Sequence, residues 1–191
     1  MKIFLKIFVG ILGLGVIILL VMRYNTKAHS PLDTAIFTKG DFKIEVVYNR
    51  PYKKDREIFG GLVPYDTVWR TGANEATTFE TNEDIFVDGS LLKKGKYTLW
   101  TIPNAESWKL IFNDHMYPWG INLDKQAYRD AQYDALVLEL PVIPLSEPLE
   151  QFTISFGDTG EFVHMVIAWD RTSIVVPITN KAQVMVAPSE K

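Results

Sequence analysis

From Phe42 the chain alternates. Phe42, Ile44, Val46 and Tyr48 are separated by Lys43, Glu45 and Val47, the period of a strand with one face buried, and Pro51 ends the run. Similar short runs recur at 76–81, 84–87, 97–102, 108–113, 135–140, 150–156, 162–169 and 173–178. Asp88-Gly89 is a hairpin dipeptide, and Lys93-Lys94-Gly95 marks a second turn. Short connections without a long 3.6-residue period between them predict antiparallel pairing rather than βαβ units. The fold expected is all-β, an antiparallel β-sandwich of about nine strands, with a barrel as second choice. The run 162–169 is apolar on both faces apart from His164 and reads as a central strand. Pro141, Pro144 and Pro148 exclude a central strand between 141 and 150, which reads as a stiff connection. Residues 124–132 are the one soluble stretch of helical composition, with Asp124 as its N-cap, and predict at most a short surface helix.

The N-terminus has a different pattern. From Ile3 to Met22 the one charged residue is Lys6. A helix of that length, at about 1.5 Å per residue, matches the roughly 30 Å hydrocarbon core of a bilayer. No small-x-small cleavage pattern follows at Arg23 to Lys27, so the expectation is an uncleaved transmembrane anchor; a cleaved signal, leaving a secreted or periplasmic protein, is the alternative. Lys2 and Lys6 on one side balance Arg23 and Lys27 on the other, a weak bias toward a cytoplasmic N-terminus. The organisation expected is an anchor at 1–27, a linker at 28–40 carrying Pro31, and a sandwich domain at 41–191, outside the cytoplasm on a single-pass anchor.

Charge and composition narrow the partners. Setting aside Lys2, Lys6, Arg23 and Lys27 leaves 16 basic against 23 acidic residues, which argues against nucleic acid. The chain has no cysteine, which removes disulfides, thiol chemistry and a lipid-modified cysteine. Residues 49–56 nevertheless gather Arg50, Lys53, Lys54 and Arg56 around one Asp55, either a solvated loop or an anion-binding surface.

A search for catalytic chemistry finds little. No serine has a nucleophile-elbow context, Gly60-Gly61 lacks the lysine and helix of a phosphate loop, and His29, His115 and His164 do not have ligand spacing. Asp114-His115 is one pair suited to a metal or to proton transfer. No metal or cofactor is expected. The densest set of special residues is Phe59 to Thr78, FGGLVPYDTVWRTGANEATT. Gly72 and Asn74 tolerate positive φ and predict a shaped turn. Arg70 offers a fork of donors for carboxylate or phosphate, and Asn74 and Glu75 offer acceptors. The plainer alternative is internal: Arg70 pairs with Glu75, and Asn74 holds the turn. Tyr65, Trp69, Trp100, Trp108 and Trp119 are either a stacking platform for sugars or core.

The run Tyr48-Asn49-Arg50-Pro51, then Arg56, Phe59-Gly60, Leu62 to Tyr65 and Val68 to Thr77, resembles the signature of a bacterial family, domain of unknown function 2911. The likeness continues through Gly95, Tyr97, Thr101-Ile102-Pro103, Trp108, Asn113, Trp119-Gly120, Asp134 and Trp169; an arginine often found three positions after the aspartate is Val137 here. The resemblance implies a secreted or envelope-attached domain and supplies no reaction.

The leading expectation is a non-catalytic ligand-binding or structural module of the cell envelope, tethered to the membrane by its helix. Its polar centre would be Arg50, Arg56, Arg70, Asn74 and Glu75, with Asn113 and Trp119 as further ligand contacts and a small molecule or carbohydrate as ligand. The alternative is a hydrolase of a small or carbohydrate substrate, with Glu75 as acid or base, Arg70 stabilising charge and Asp114 or His115 as partner. A third option is a partner that adds a strand to an exposed sheet edge.

Overall fold

A computed structural model describes residues 2–122, 124 and 126–180, the side chains of 2, 3, 5, 19 and 22–26 excepted. The C-terminal part of the expected sandwich, 181–191, lies outside these residues, as do 123 and 125 beside and within the expected surface helix. Helix α1 (Lys2–His29) is followed by β1 (Leu32–Lys39), β2 (Phe42–Asn49), β3 (Thr78–Thr81), β4 (Ile85–Val87), β5 (Ser90–Leu92), β6 (Gly95–Pro103), β7 (Ser107–Asn113), β8 (Asp134–Pro141), β9 (Ile143–Asp158) and β10 (Val163–Thr179). The strands form a six-stranded sheet, β1-β2-β3-β6-β7-β8, and a four-stranded sheet, β5-β4-β10-β9. Every strand pair is antiparallel.

The alternation in β2 does what its pattern requires: Phe42, Ile44, Val46 and Tyr48 are buried, and Lys43 is exposed. With Phe79, Leu99, Trp108 and Phe112 they face Phe152, Ile154, Met165, Ile167 and Val176 of the other sheet in one continuous core. Such burial, at about 25 cal/mol per Å² of apolar surface, is what holds the two layers together. A smaller core, Ala76, Trp100, Ile111 and Tyr117, lies on the other face of β6 and β7, against Val68, Ile102 and Ala127. The loop 114–130 therefore covers the outside of the large sheet, which is why β6 is buried on both faces.

Several expectations change. Residues 32–39 are not linker but β1, which pairs with β2 from Leu32↔Asn49 to Lys39↔Phe42. As an edge strand, β1 fully buries Phe37 alone and carries the apolar Leu32 and Ile36 on its exposed face, so no polar–apolar alternation in the sequence marks it. The described strands number ten, because β1 and β5 were not expected and 162–169 and 173–178 belong to one strand, β10, irregular around Asp170. Pro144 and Pro148 lie inside β9 rather than in a connection. β9 is an edge strand, where a missing N–H is tolerated. The expected helix at 124–132 is reduced to a 3-10 turn, Ala131–Tyr133, capped by the Asp130 carboxylate. The Asp88-Gly89 hairpin is present, with φ of 47° and 76° between β4 and β5.

A continuous helix occupies the N-terminal apolar run. Among the described residues no helix is long and apolar enough to cross a membrane.

Tyr48 joins the layers. Its hydroxyl accepts from Ile154 N at 2.9 Å and donates to Ile154 O at 3.2 Å. Burial pushes its pKa up, against the opposing effects of the Ile154 hydrogen bond and of Arg50. The folded value lies above the unfolded one, so this contribution to stability is complete below about pH 10 and declines as pH rises past it. Melting temperature should fall over that range. Tyr48→Phe should weaken the fall and cost about 1–2 kcal/mol at neutral pH by stranding the Ile154 groups; an unchanged alkaline slope would remove Tyr48 from this role.

Candidate functional site

The bend after Trp69 is held by its own hydrogen bonds. Trp69 and Thr101 exchange backbone bonds of 2.7 and 2.9 Å, and the Trp69 indole donates to Gly72 O at 3.0 Å. Thr71, Gly72 and Asn74 all have positive φ, 53°, 150° and 56°. Gly72 and Asn74 suit this; Thr71 does not, and is kept there by buried contacts. Its Oγ1 lies 3.2 Å from Thr101 Oγ1, and its carbonyl accepts from Thr77 Oγ1 at 2.7 Å. A side chain at 72 would begin 3.0 Å from Asn49 O, so glycine is required by approach as well as by φ.

This geometry turns Arg70 and Glu75 to different hollows. Arg70 lines a cleft of about 930 Å³ whose walls come from the loop 51–56, the segment 62–73, and Ile121, Gln126 and Ala127. Trp69 and Trp169 form its aromatic floor, stacked at 6.1 Å and 18°. Lys54, Arg56 and Arg70 bring three cations. The carboxylate in the lining is Asp66, which accepts from Asn104 Nδ2 at 2.8 Å. Glu75 lines a second hollow of about 500 Å³ with Asn49, Lys27 and Tyr117. There Asn49 Nδ2 donates to Glu75 Oε2 at 3.1 Å, and Lys27 Nζ lies 3.6 Å from Oε1.

Arg70 is half-buried, and the hydrogen bond its guanidinium makes runs from Nη1 to Trp119 O at 3.1 Å. Gly120 packs beneath it: a Cβ there would sit 3.2 Å from Arg70 Cβ. Burial lowers the Arg70 pKa, and the Glu75 carboxylate opposes that shift. An arginine stays charged under such conditions. A guanidinium has five donors, so most of this one's capacity is left for the cleft. An incoming anion would offset the desolvation that burial imposes.

The other expected site residues are placed as follows. Arg50 is a clamp between sheets: Nη1 donates to Asp33 at 2.9 Å, Nε to Phe152 O at 3.0 Å and Nη2 to Thr153 Oγ1 at 2.8 Å. Arg56 is exposed at the cleft rim, with Nε donating to Lys53 O at 3.0 Å and Nη2 to Tyr52 O. Asn74 is buried, donating to Ser30 O at 3.2 Å. Asn113 is buried and donates to Asp130 O at 2.9 Å and Asp134 Oδ1 at 2.8 Å, which organises the covering loop. The Trp119 side chain is partly exposed, and its carbonyl receives Arg70. The single polar centre expected around five residues is therefore divided: Arg56 and Arg70 share a cleft, and Arg50, Asn74 and Glu75 do not join them. Glu75 and Arg70 line different hollows, yet the Glu75 carboxylate is close enough to act on the Arg70 charge.

His115 stacks on Tyr133 at 5.0 Å and meets the edge of Tyr117 at 4.7 Å; neither it nor Asp114 lines the Arg70 cleft. Among the described residues no group of three His, Asp or Glu is placed to hold a metal. Trp100 and Trp108 are core rather than platform, both fully buried. The lining residues that sequence reasoning missed are Trp169, Asp66, and His29 and Ser30 at the end of α1. Lys54 and Asp66 had a signal, the basic loop 49–56 and the dense stretch 59–78, and Trp169 figures in the family resemblance; His29 and Ser30 lie far along the chain from the bend and had none.

A family model described as Protein of unknown function (DUF2911) matches residues 30–178, which spans both sheets and the bend and leaves out α1. No curated protein and no solved structure matches the chain.

Proposed function

The chain belongs to the DUF2911 family, whose description assigns no reaction, and we propose that it is a membrane-tethered, extracytoplasmic binding module whose cleft takes a small anion with an apolar or ring-bearing body. The observation that carries this reading is Arg70: a half-buried guanidinium with one hydrogen bond among the described residues, sharing a cleft with an aromatic floor and with Lys54 and Arg56. A carboxylate or phosphate matches the fork of donors, and a ring or chain matches Trp69, Val63 and Val68. The domain is acidic, so this cationic recess is local rather than a general basic surface.

Tethering is supported by the sequence of α1 and by its exposure. Side chains on every face of the helix, among them Phe4, Val9, Leu12, Leu14 and Ile17, are more than half exposed. Apolar surface all round a helix calls for an apolar environment, and a bilayer supplies one. The same helix would set the domain outside the cytoplasm.

Isothermal titration of phenyl phosphate into the full chain in a non-ionic detergent tests the anion site. Binding should weaken about tenfold or more in Arg70→Gln, the loss of one charge-assisted contact, with little change in melting temperature. Equal affinity in the two proteins, or no binding by the wild type at millimolar concentration, would overturn the reading.

A further inference from the structure

The cleft and the helix meet. His29, the last residue of α1, and Ser30 line the same cleft as Arg70. The junction is tied rather than loose: Ser30 O accepts from Asn74, Pro31 O accepts from Arg50 N at 2.8 Å, and Lys27 reaches Glu75. Strand β1 begins at Leu32, so almost no free chain separates helix from domain. The signature bend therefore has two sides. Arg70 looks into the cleft, and Asn74 and Glu75 hold the end of the helix.

That arrangement fixes where the cleft lies if the helix is embedded. The apolar run ends at Met22, and His29 is seven positions further on, about 10 Å along a helix. The polar zone on each side of a bilayer's hydrocarbon core is roughly 5–8 Å deep. The His29 edge of the cleft thus sits about 2–5 Å beyond the headgroup zone, within reach of a headgroup that rises toward it. Leu62 in its lining and Tyr65, three residues on, are 48% and 41% exposed, apolar and amphipathic side chains of the kind that favour a membrane interface. The lining itself has two parts, cations at Lys54, Arg56 and Arg70 and an apolar wall of Leu62, Val63 and Trp69. Free phosphate has no use for the wall, and a neutral sugar has no use for three cations.

We infer that the occupant is an anionic lipid drawn from the membrane on which the domain sits, its phosphate or carboxylate head on Arg70 and the start of its chain against Trp69 and Val63. This rests on the anion-site and tether readings above, and names their ligand.

The test uses the full chain with Trp119→Phe, to remove a partly exposed indole, in nanodiscs of phosphatidylcholine. Phosphatidylglycerol or phosphatidylcholine brominated near the head of the acyl chain is then introduced, and tryptophan quenching is read. The expected result is a preference of about tenfold or more for the anionic lipid, abolished by Arg70→Gln in a protein with unchanged near-ultraviolet dichroism. Equal quenching by both lipids, or quenching indifferent to Arg70→Gln, would overturn the lipid. Phenyl phosphate added to the same discs separates the two failures. If it binds through Arg70 while lipid shows no preference, the anion site stands and the lipid is wrong; if neither binds, both readings fall.

Discussion

Trp69→Ala is expected to lower the unfolding free energy by about 3–5 kcal/mol, the range for removing a large aromatic from a packed site. Trp69 sits at the centre of an aromatic cluster drawn from both sheets and the loop before it. Its ring stacks on Trp169 of β10, meets Phe152 of β9 edge-on at 5.1 Å and Phe59 at 6.1 Å, and lies 6.3 Å from Trp108 of β7. Contacts of that kind contribute about 0.5–1.5 kcal/mol each beyond the area they bury. The indole N–H also closes the bend on Gly72 O. Alanine loses the rings and the bond together, and should shift the melting temperature by roughly 6–20 °C. Trp69→Phe keeps a ring and loses the donor, so it should cost less, about 1–3 kcal/mol. Urea denaturation of the three proteins checks the order. A loss under about 1 kcal/mol for alanine would mean that the bend is not built on this side chain.

Arg129→Met is expected to cost about 3–5 kcal/mol, and the double variant Arg129→Met, Asp134→Asn should recover most of it. Arg129 Nη1 pairs with Asp134, with side-chain exposures of 12% and 15%, and Arg129 Nε is buried without a hydrogen-bond partner. Removing the arginine leaves a carboxylate largely out of water beside Asn113. Neutralising both partners removes the buried charge, and an asparagine oxygen still accepts from Asn113. Equal stability of the single and double variants, measured by chemical denaturation, would refute the pairing.

Much of the sheet was legible because strands that bury one face must alternate. β2 is the plainest instance, and the Asp88-Gly89 hairpin follows from residues that accept positive φ. Edge strands carry less of this signal. β1 carries Leu32 and Ile36 on its exposed face, and the first half of β9 contains two prolines that an interior strand would exclude, so β1 and residues 143–149 could not be read from local pattern, whereas 150–156 could. The bend was legible as a turn but not in its consequences. Whether an arginine is clamped or available depends on partners distant in sequence. Arg50 finds Asp33, Phe152 and Thr153, which fill its nitrogens, while Arg70 finds the Trp119 carbonyl. Identical side chains in one signature thus have different tasks. The cleft floor pairs residue 69 with residue 169 across the two sheets, a contact set by topology that no spacing announces.

The most direct test of the anion cleft is the indole region of a nitrogen-15 correlation spectrum of the full chain in non-ionic detergent, followed as phenyl phosphate is added. The Trp69 and Trp169 signals should move together and saturate, while Trp100, packed in the separate core outside the large sheet, stays in place. Stationary Trp69 and Trp169 signals, or a saturating shift confined to Trp119, would contradict the account.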